Sequence, residues 1–256
     1  MKVLFIGDVI GKKGREILKE QIPKFKEEVD LVVVQGENLA GGFGITRKTA
    51  NEVFSFGVDV ITGGNHIFGK KEIYEIIDEV PIIRPYNYPP GVPGKGFIFL
   101  SCKDKTVGVL SLCGRVFMEP LDCPFRTADS AIKEIKEKTN IIIVDVHGEA
   151  TSEKNAIAWW LDGRVSAVIG THTHVQTSDT RIFPKGTGFI TDVGMVGSLD
   201  SVIGVKKDTV IKRFLTNLPV RFEPAGDDGI FCAVIIEIDE KTGKTCSIEP
   251  IQIHGL

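Results

Sequence analysis

Five short apolar runs in this chain end in the same way. "VLFIG" runs into Asp8, "VVVQG" into Glu37 and Asn38, and "VITGG" into Asn65 and His66. "IIIVDV" runs into His147, and "SAVIGT" into His172 and, two residues on, His174. Each run is almost wholly aliphatic, the pattern of a strand buried on both faces. Segments with helical spacing lie between the early runs. "GREILKEQIPKFKEEV" sets Ile17, Leu18, Ile22 and Phe25 along one side, and Pro23 is expected to bend or break it. "TRKTANEVFSFG" takes Thr46 as its N-cap and ends at Gly57, and "KKEIYEIIDEV" stops before Pro81. Alternating strands and helices predict parallel βαβ units. In such sheets ligands bind beyond the carboxyl ends of the strands. Were the five runs parallel neighbours, their polar side chains would meet at one edge.

The later chain changes character. "FIFLSC" and "TVGVLSLCG" read as a hairpin, "GFIT" as a further strand, and "GIFCAVIIEIDEKTGKTCSIEPIQI" as two strands around a turn. Parallel pairing at the front and antiparallel pairing at the back predict a mixed sheet or two packed sheets. With no internal repeat, linker or low-complexity tail, residues 1–256 are expected to form a single domain.

Each polar residue at a strand end also has an ordinary reading. Asp8 can be a turn or N-cap residue, Asn38 and Asn65 turn residues, and His66 a loop histidine. Gly7, Gly36, Gly63, Gly64 and Gly170 can simply end strands, or can let backbone approach a bound group. Glu37 is harder to set aside, because Glu forms turns poorly and a carboxylate beside a buried strand needs a partner. Asp145 and His147, two apart, share a strand face; Asp145 either orients a neighbour or is a buried polar residue. His172 and His174 share a face if the strand continues, and serve two adjacent ions if the chain bends there. His254 is expected at the surface. Asp, Glu, Asn and His without Cys suit Mn, Fe or Zn and argue against a thiolate zinc site. The donors outnumber what one ion needs, and a carboxylate such as Glu37 can bridge two ions about 3.5–4 Å apart.

Charge narrows the partners. Lys+Arg is 31 against Asp+Glu 34, a net charge of -3, so no basic field is available for a long nucleic acid, whereas a small phosphate ligand remains open. No apolar run is long enough for a bilayer, so no membrane association is expected, and "MKVLFIGDVI" meets Asp8 too early for a signal peptide. Five scattered cysteines without a C-x-x-C fit reduced thiols and a cytoplasmic location. A homo-oligomer is the base-rate expectation.

The motifs in order, "GDVIG", "QGENLAGGFGIT", "GGNHIFG", "VDVHGEATSEK" and "IGTHTHVQT", resemble those of the calcineurin-like metallophosphoesterases, D-x-H, G-D-x-x-D, G-N-H-[D/E], H and G-H-x-H. The match spans Asp8 to His174, and "ITDVGMVGSLDSVIG" extends it. The wording is similar to the bacterial YmdB-type branch, phosphodiesterases associated with 2′,3′-cyclic nucleotides. Two departures stand out: Ile10 takes the place of the D-x-H histidine, and Glu37 followed by Asn38 replaces the G-D-x-x-D acid.

The resemblance implies a four-layer α/β sandwich with two mixed β-sheets. It implies a dinuclear centre, most often iron, with Mn or Zn as substitutes. Glu37 would bridge, Asp8 and His174 would hold one ion with partial compensation from Asn38, and Asn65, His147 and His172 would hold the other. His66 would be the acid that protonates the leaving oxygen. The implied reaction is hydrolysis of 2′,3′-cyclic nucleotides, 3′,5′-cyclic nucleotides or related small phosphodiesters by a metal-bridging hydroxide. Arg115 is a candidate phosphate contact and Phe43 and Tyr88 candidate base-stacking rings, each also readable as surface or packing residues. Two other readings compete. One is a metal-dependent nucleotide-binding regulator with slow or incidental hydrolysis, favoured by the missing D-x-H histidine. The other is an amidohydrolase or β-lactamase-like hydrolase, disfavoured because "HTHVQTSD" continues neither family's H-x-H pattern.

Overall fold

In the computed structural model, which describes residues 1–256, the inter-sheet face of several central strands turns from apolar to polar along its length. The elements run in the order β1 (Lys2–Ile6), β2 (Asp8–Val9), α1 (Gly11–Phe25), β3 (Leu31–Gln35), α2 (Arg47–Ser55), β4 (Val60–Thr62), α3 (Ile73–Ile76) and β5 (Ile82–Ile83). Next come β6 (Phe97–Cys102), β7 (Lys105–Cys113), α4 (Pro124–Ile135), β8 (Ile142–His147), α5 (Thr151–Leu161), β9 (Ala167–Thr171), β10 (Arg181–Ile182) and β11 (Gly188–Ile190). The last are β12 (Met195–Ser198), α6 (Lys207–Thr216), β13 (Gly229–Ile238) and β14 (Thr245–His254). One sheet has the order β2-β12-β13-β1-β3-β4-β5, with β14 on β13; the other has the order β10-β11-β9-β8-β7-β6. Both are mixed: β1, β3, β4 and β5 are parallel and β13 antiparallel to β1, while β7, β8, β9 and β11 are parallel and β6 antiparallel to β7.

Strand alternation sorts the aliphatic side chains into layers. Leu4, Ile6, Val32, Val34 and Ile61 pack outward against Ile17, Leu18 and Ile22 of α1 and Ala50 and Val53 of α2. Val3, Phe5, Val33 and Val60 face inward and meet Val107, Val109, Ile143, Ala167 and Ile169 of the other sheet. Leu110, Leu112, Val144, Val146 and Val168 pack outward against α4 and α5. The result is helices, sheet, sheet, helices, the four-layer sandwich expected. Burying each such aliphatic chain contributes about 1.5–3 kcal/mol.

The five runs do not form one sheet edge, however. β1, β3 and β4 lie side by side in one sheet, and β8 and β9 lie side by side in the other. Their carboxyl ends nevertheless open on the same seam, because the inward positions that continue Val33, Val60, Ile143 and Ile169 are Gln35, Thr62, Asp145, His147 and Thr171, all buried. Cross-sheet hydrogen bonds replace apolar contact there: Thr62 Oγ1 donates to Asp145 Oδ2 at 2.5 Å and Ser111 Oγ to the Gly63 carbonyl at 2.9 Å.

Local expectations fare unevenly. α1 begins at Gly11, three residues before the periodic segment, and ends two residues past Pro23. That proline removes one intrahelical donor in the last turn, so the helix stops instead of bending. α2 has the expected start, a capping box in which Thr46 and Thr49 exchange side-chain and backbone hydrogen bonds. It stops before Gly57, whose φ is +101. The helix expected in "KKEIYEIIDEV" shrinks to the four residues of α3, whose N-terminus has no side-chain cap. Glu72 instead accepts from the Arg47 N–H at 3.3 Å.

Candidate metal centre

Asp8 sits in β2, tied to Met195 of β12, with its carboxyl at the seam. Glu37 and Asn38 follow β3, Asn65 and His66 follow β4, His147 is the last residue of β8, and His172 and His174 follow β9. Asp8, Glu37 and His147 are essentially inaccessible to solvent.

Four ligand atoms from both sheets crowd around one point. His147 Nε2 lies 3.1 Å from Glu37 Oε1, 3.0 Å from Asn65 Oδ1 and 3.0 Å from His172 Nδ1. A single proton on that nitrogen can satisfy only one of the three lone-pair atoms facing it. A cation held among Glu37, His147, His172 and Asn65 would use all four donors, and the first three form a group with metal-ligand spacing. A second group adjoins it. Asp8 Oδ1 lies 3.7 Å from His174 Nε2 and 3.9 Å from His147 Nδ1. Asp8 Oδ1 and Glu37 Oε1 are buried yet have no hydrogen-bond partner. Orphaned carboxylate oxygens in such a setting are costly unless a cation is their partner, so these residues fit a metal centre. Nitrogen and oxygen donors from Asp, Glu, Asn and His suit Fe, Mn or Zn.

The H-x-H pair is divided between the two groups. His172 has φ +101 and His174 φ +65, conformations that cost non-glycine residues about 1–3 kcal/mol each. The His172 ring presents Nδ1 to the His147 group, and its Nε2 lies 3.2 Å from Glu149. The His174 ring donates Nδ1–H to the Ile203 carbonyl at 2.8 Å, leaving Nε2 toward Asp8. Glu149 thus orients one imidazole and a carbonyl the other, the arrangement expected around metal-binding histidines.

Further partners set the candidate ligands that are buried. Gln35 Oε1 accepts from the Glu37 N–H at 3.0 Å, and Gln35 Nε2 lies 3.1 Å from His147 Nδ1. Thr171 Oγ1 lies 3.0 Å from the same nitrogen and donates to Asp145 Oδ1 at 2.8 Å. Burial resists charge on Asp8, but His174, His147 and the His172 N–H hold its carboxyl down at about 2. Burial likewise disfavours a charged His147, which Glu37, Asp8 and Asp145 nonetheless carry up to about 9. Burial, reinforced by that charged neighbour, drops His172 to about 4. Asp145 rises to about 7 through burial, only partly offset by His147 and its two threonine donors.

His66 stands at the rim. Its N–H donates to Glu37 Oε2 at 2.7 Å, and its Nδ1 lies 3.2 Å from Asn38 Oδ1 and 3.3 Å from Glu37 Oε1. With acceptors on that side, Nε2 is free for another partner. The Phe43 ring covers it at a centroid distance of 4.7 Å. Tyr88 packs edge-on against Phe68 instead. Arg115 is exposed, and its N–H is fixed by Glu153 at 3.0 Å. Ile10, where D-x-H would have histidine, turns away into a small apolar cluster with Met195, Ile230 and Cys232. The seven candidate ligands and the candidate acid named from sequence all lie at one seam, between two sheets instead of on one sheet edge, and sequence reasoning missed Gln35, Glu149 and Thr171. Nothing in their local sequence marks them, since each acts on a ligand delivered by packing.

The YmdB-like protein family model matches residues 4–251. The chain belongs to the YmdB-like family. It is 49% identical over 257 residues to the 2′,3′-cyclic-nucleotide 2′-phosphodiesterase of Bacillus subtilis (strain 168), covering 99% of this chain and 97% of that one. A solved structure from Thermus thermophilus matches with TM-score 0.96 at 42% identity, over 100% of both chains. A phosphatase of Mycoplasma pneumoniae matches with TM-score 0.93 at 35% identity, over 99% of this chain and 93% of that one. The family is the one its motifs resemble, and in this chain the strand ends with the candidate ligands lie in both sheets.

Proposed function

We propose that this chain is a metal-dependent phosphodiesterase that opens 2′,3′-cyclic nucleotides, with 3′,5′-cyclic nucleotides or related small diesters as further substrates. One observation carries the reading: two orphaned, buried carboxylate oxygens, Asp8 Oδ1 and Glu37 Oε1, each faced by imidazole nitrogens. The name and 49% identity of the Bacillus subtilis relative support the substrate class. Asp8, Glu37, Asn38 and His174 would hold one ion, and Glu37, Asn65, His147 and His172 the other, most often iron, with Mn or Zn as substitutes. Ions held there supply Lewis acidity, which neutralises phosphoryl oxygens and makes water nucleophilic at neutral pH.

The chain's own groups do the rest. Glu37 divides its carboxylate, Oε2 accepting the His66 N–H and Oε1 remaining for metal. Asn38 steadies His66 through Nδ1, so that Nε2 can protonate the leaving ribose oxygen. Phe43 limits tilting of that ring and is available to a base. The shared inter-sheet core supports one domain over residues 1–256. Free cysteines support a cytoplasmic location, and the solvent-facing Ile211, Phe214 and Leu215 of α6 support a homo-oligomer. No helix is long and apolar enough to cross a membrane.

Turnover of 2′,3′-cyclic AMP by protein loaded with Fe or Mn tests the reading, with elemental analysis alongside. His66→Ala should keep its metal and lose about a hundred- to ten-thousand-fold in kcat. Glu37→Gln should lose metal and activity together. Metal loss in His66→Ala would make His66 a ligand and remove the acid assignment. Nucleotide binding without turnover in the loaded wild type would favour a regulator instead.

A further inference from the structure

Lys154 of α5 and Asp192, just after β11, form an ion pair at 2.9 Å with 1% and 0% of their side-chain surface exposed. A pair this deep has a large desolvation cost, so it persists only where further hydrogen bonds compensate. All of those bonds go to one backbone segment and its support. Lys154 Nζ donates to the Thr171 carbonyl at 3.1 Å. Asp192 Oδ2 accepts the Thr173 N–H at 2.9 Å, and its Oδ1 accepts the Gly194 N–H at 2.9 Å. The pair therefore grips the peptide groups on both sides of His172, the residue with φ +101. Neither side chain has a hydrogen bond to a candidate ligand side chain.

We propose that the Lys154–Asp192 pair is the positioning element that turns His172 and His174 toward different metal sites. With the peptides of Thr171 and Thr173 pinned, the chain passes through two left-handed histidines with a clamped threonine between them. That path sends His172 Nδ1 toward Glu37 and His147, and His174 Nε2 toward Asp8. Without the clamp, the segment relaxes toward extended backbone, whose alternation would not maintain this division. Gly170 contributes by letting β9 pass the Thr191 carbonyl, which an added Cβ would meet at 1.8 Å. This inference rests on the two-metal reading above.

The test compares wild type with Lys154→Met, Asp192→Asn and Lys154→Arg, each first checked for folding by circular dichroism and for thermal unfolding in the metal-free form. Asp192→Asn changes shape least and remains informative if Lys154→Met fails to fold. Metal uptake is followed by Mn titration with elemental analysis, and the exchange-coupled two-manganese signal by electron paramagnetic resonance. Wild type should take up two ions and give the coupled signal. Lys154→Met and Asp192→Asn should bind one ion about 10- to 100-fold more weakly and lose the coupled signal. Lys154→Arg, which keeps charge and donors, should restore it. Folded variants that match a two-ion wild type in affinity and signal overturn the role of the pair alone. A wild type that takes up fewer than two ions overturns the dinuclear reading and this inference with it.

Discussion

At position 64 an added Cβ would meet His147 Cδ2 at 2.2 Å and Nε2 at 2.4 Å. The backbone after β4 can approach the β8 histidine this closely only because Gly64 has no side chain. Gly64→Ala should push His147 off Glu37 and Asn65 and weaken metal uptake about 10- to 100-fold. Gly226→Ala is the control, because its Cβ would meet nothing within 4 Å. Metal titration monitored by elemental analysis separates the two, and equal uptake would show that His147 can move without loss. At this scale the polar residues that meet at the seam were legible and their orientation was not. A polar residue after an aliphatic run stands out, but Gly64 could equally have ended a strand. The partners of His147 and His172, namely Gln35, Thr171 and Glu149, are ordinary polar residues. The left-handed backbone of His172 and His174 has no signature, because histidine seldom adopts it.

Between elements, Asp30 joins the far ends of the two sheets. Its carboxylate accepts the Lys2 N–H of β1 at 2.7 Å and pairs at 2.6 Å with Lys103, in the turn between β6 and β7. Burial raises its pKa, but the Lys103 and Lys2 contacts outweigh burial and lower it overall. The unfolded chain therefore binds this proton more readily than the folded one, so the stabilisation is present above the unfolded value near 3.8 and disappears as pH falls through the lower folded value. Asp30→Asn should cost about 1 kcal/mol at neutral pH, mostly because the Lys2 N–H then meets a neutral acceptor instead of a charged one, and much less near pH 2. Urea unfolding at the two pH values checks this, and an equal cost at both would assign the effect to packing. Elements buried on both faces were legible as aliphatic runs, and so was Thr46 as the N-cap of α2, though not the reciprocal bond from Thr49. β2 and β12 were not, because two residues and a glycine-bearing "MVGS" make no periodic pattern. The division of β1, β3 and β4 from β8 and β9 was also hidden, since alternation reveals a buried strand without naming its neighbours.

For the molecule as a whole, a metal held by the candidate ligands of both sheets would act as a cross-link at the seam. Glu37 and Asn65 come from one sheet, His147 and His172 from the other. Ions that bind only the folded chain stabilise it by about 2.7 kcal/mol per site at a hundredfold excess over Kd. Chelation should therefore lower Tm by about 5–10 °C per ion lost, reversibly on readdition. Calorimetry with and without a chelator measures the change. An unchanged Tm would mean that the metal-free seam is already as tightly joined.

The pairing order has a consequence for synthesis. Asp8 is made early, but its partner His174 emerges some two-thirds of the way along the chain. β1 lies between β3 and β13, and the register Phe5↔Val234 completes only when residues past 230 have left the ribosome. A growing chain thus exposes one open edge of β1 until β13 is made, and Asp8 waits for the imidazole of His174 until β9 has been made. The seam that carries the candidate ligands is therefore flanked on both sides only once β13 has been made, well after the last of those residues, His174.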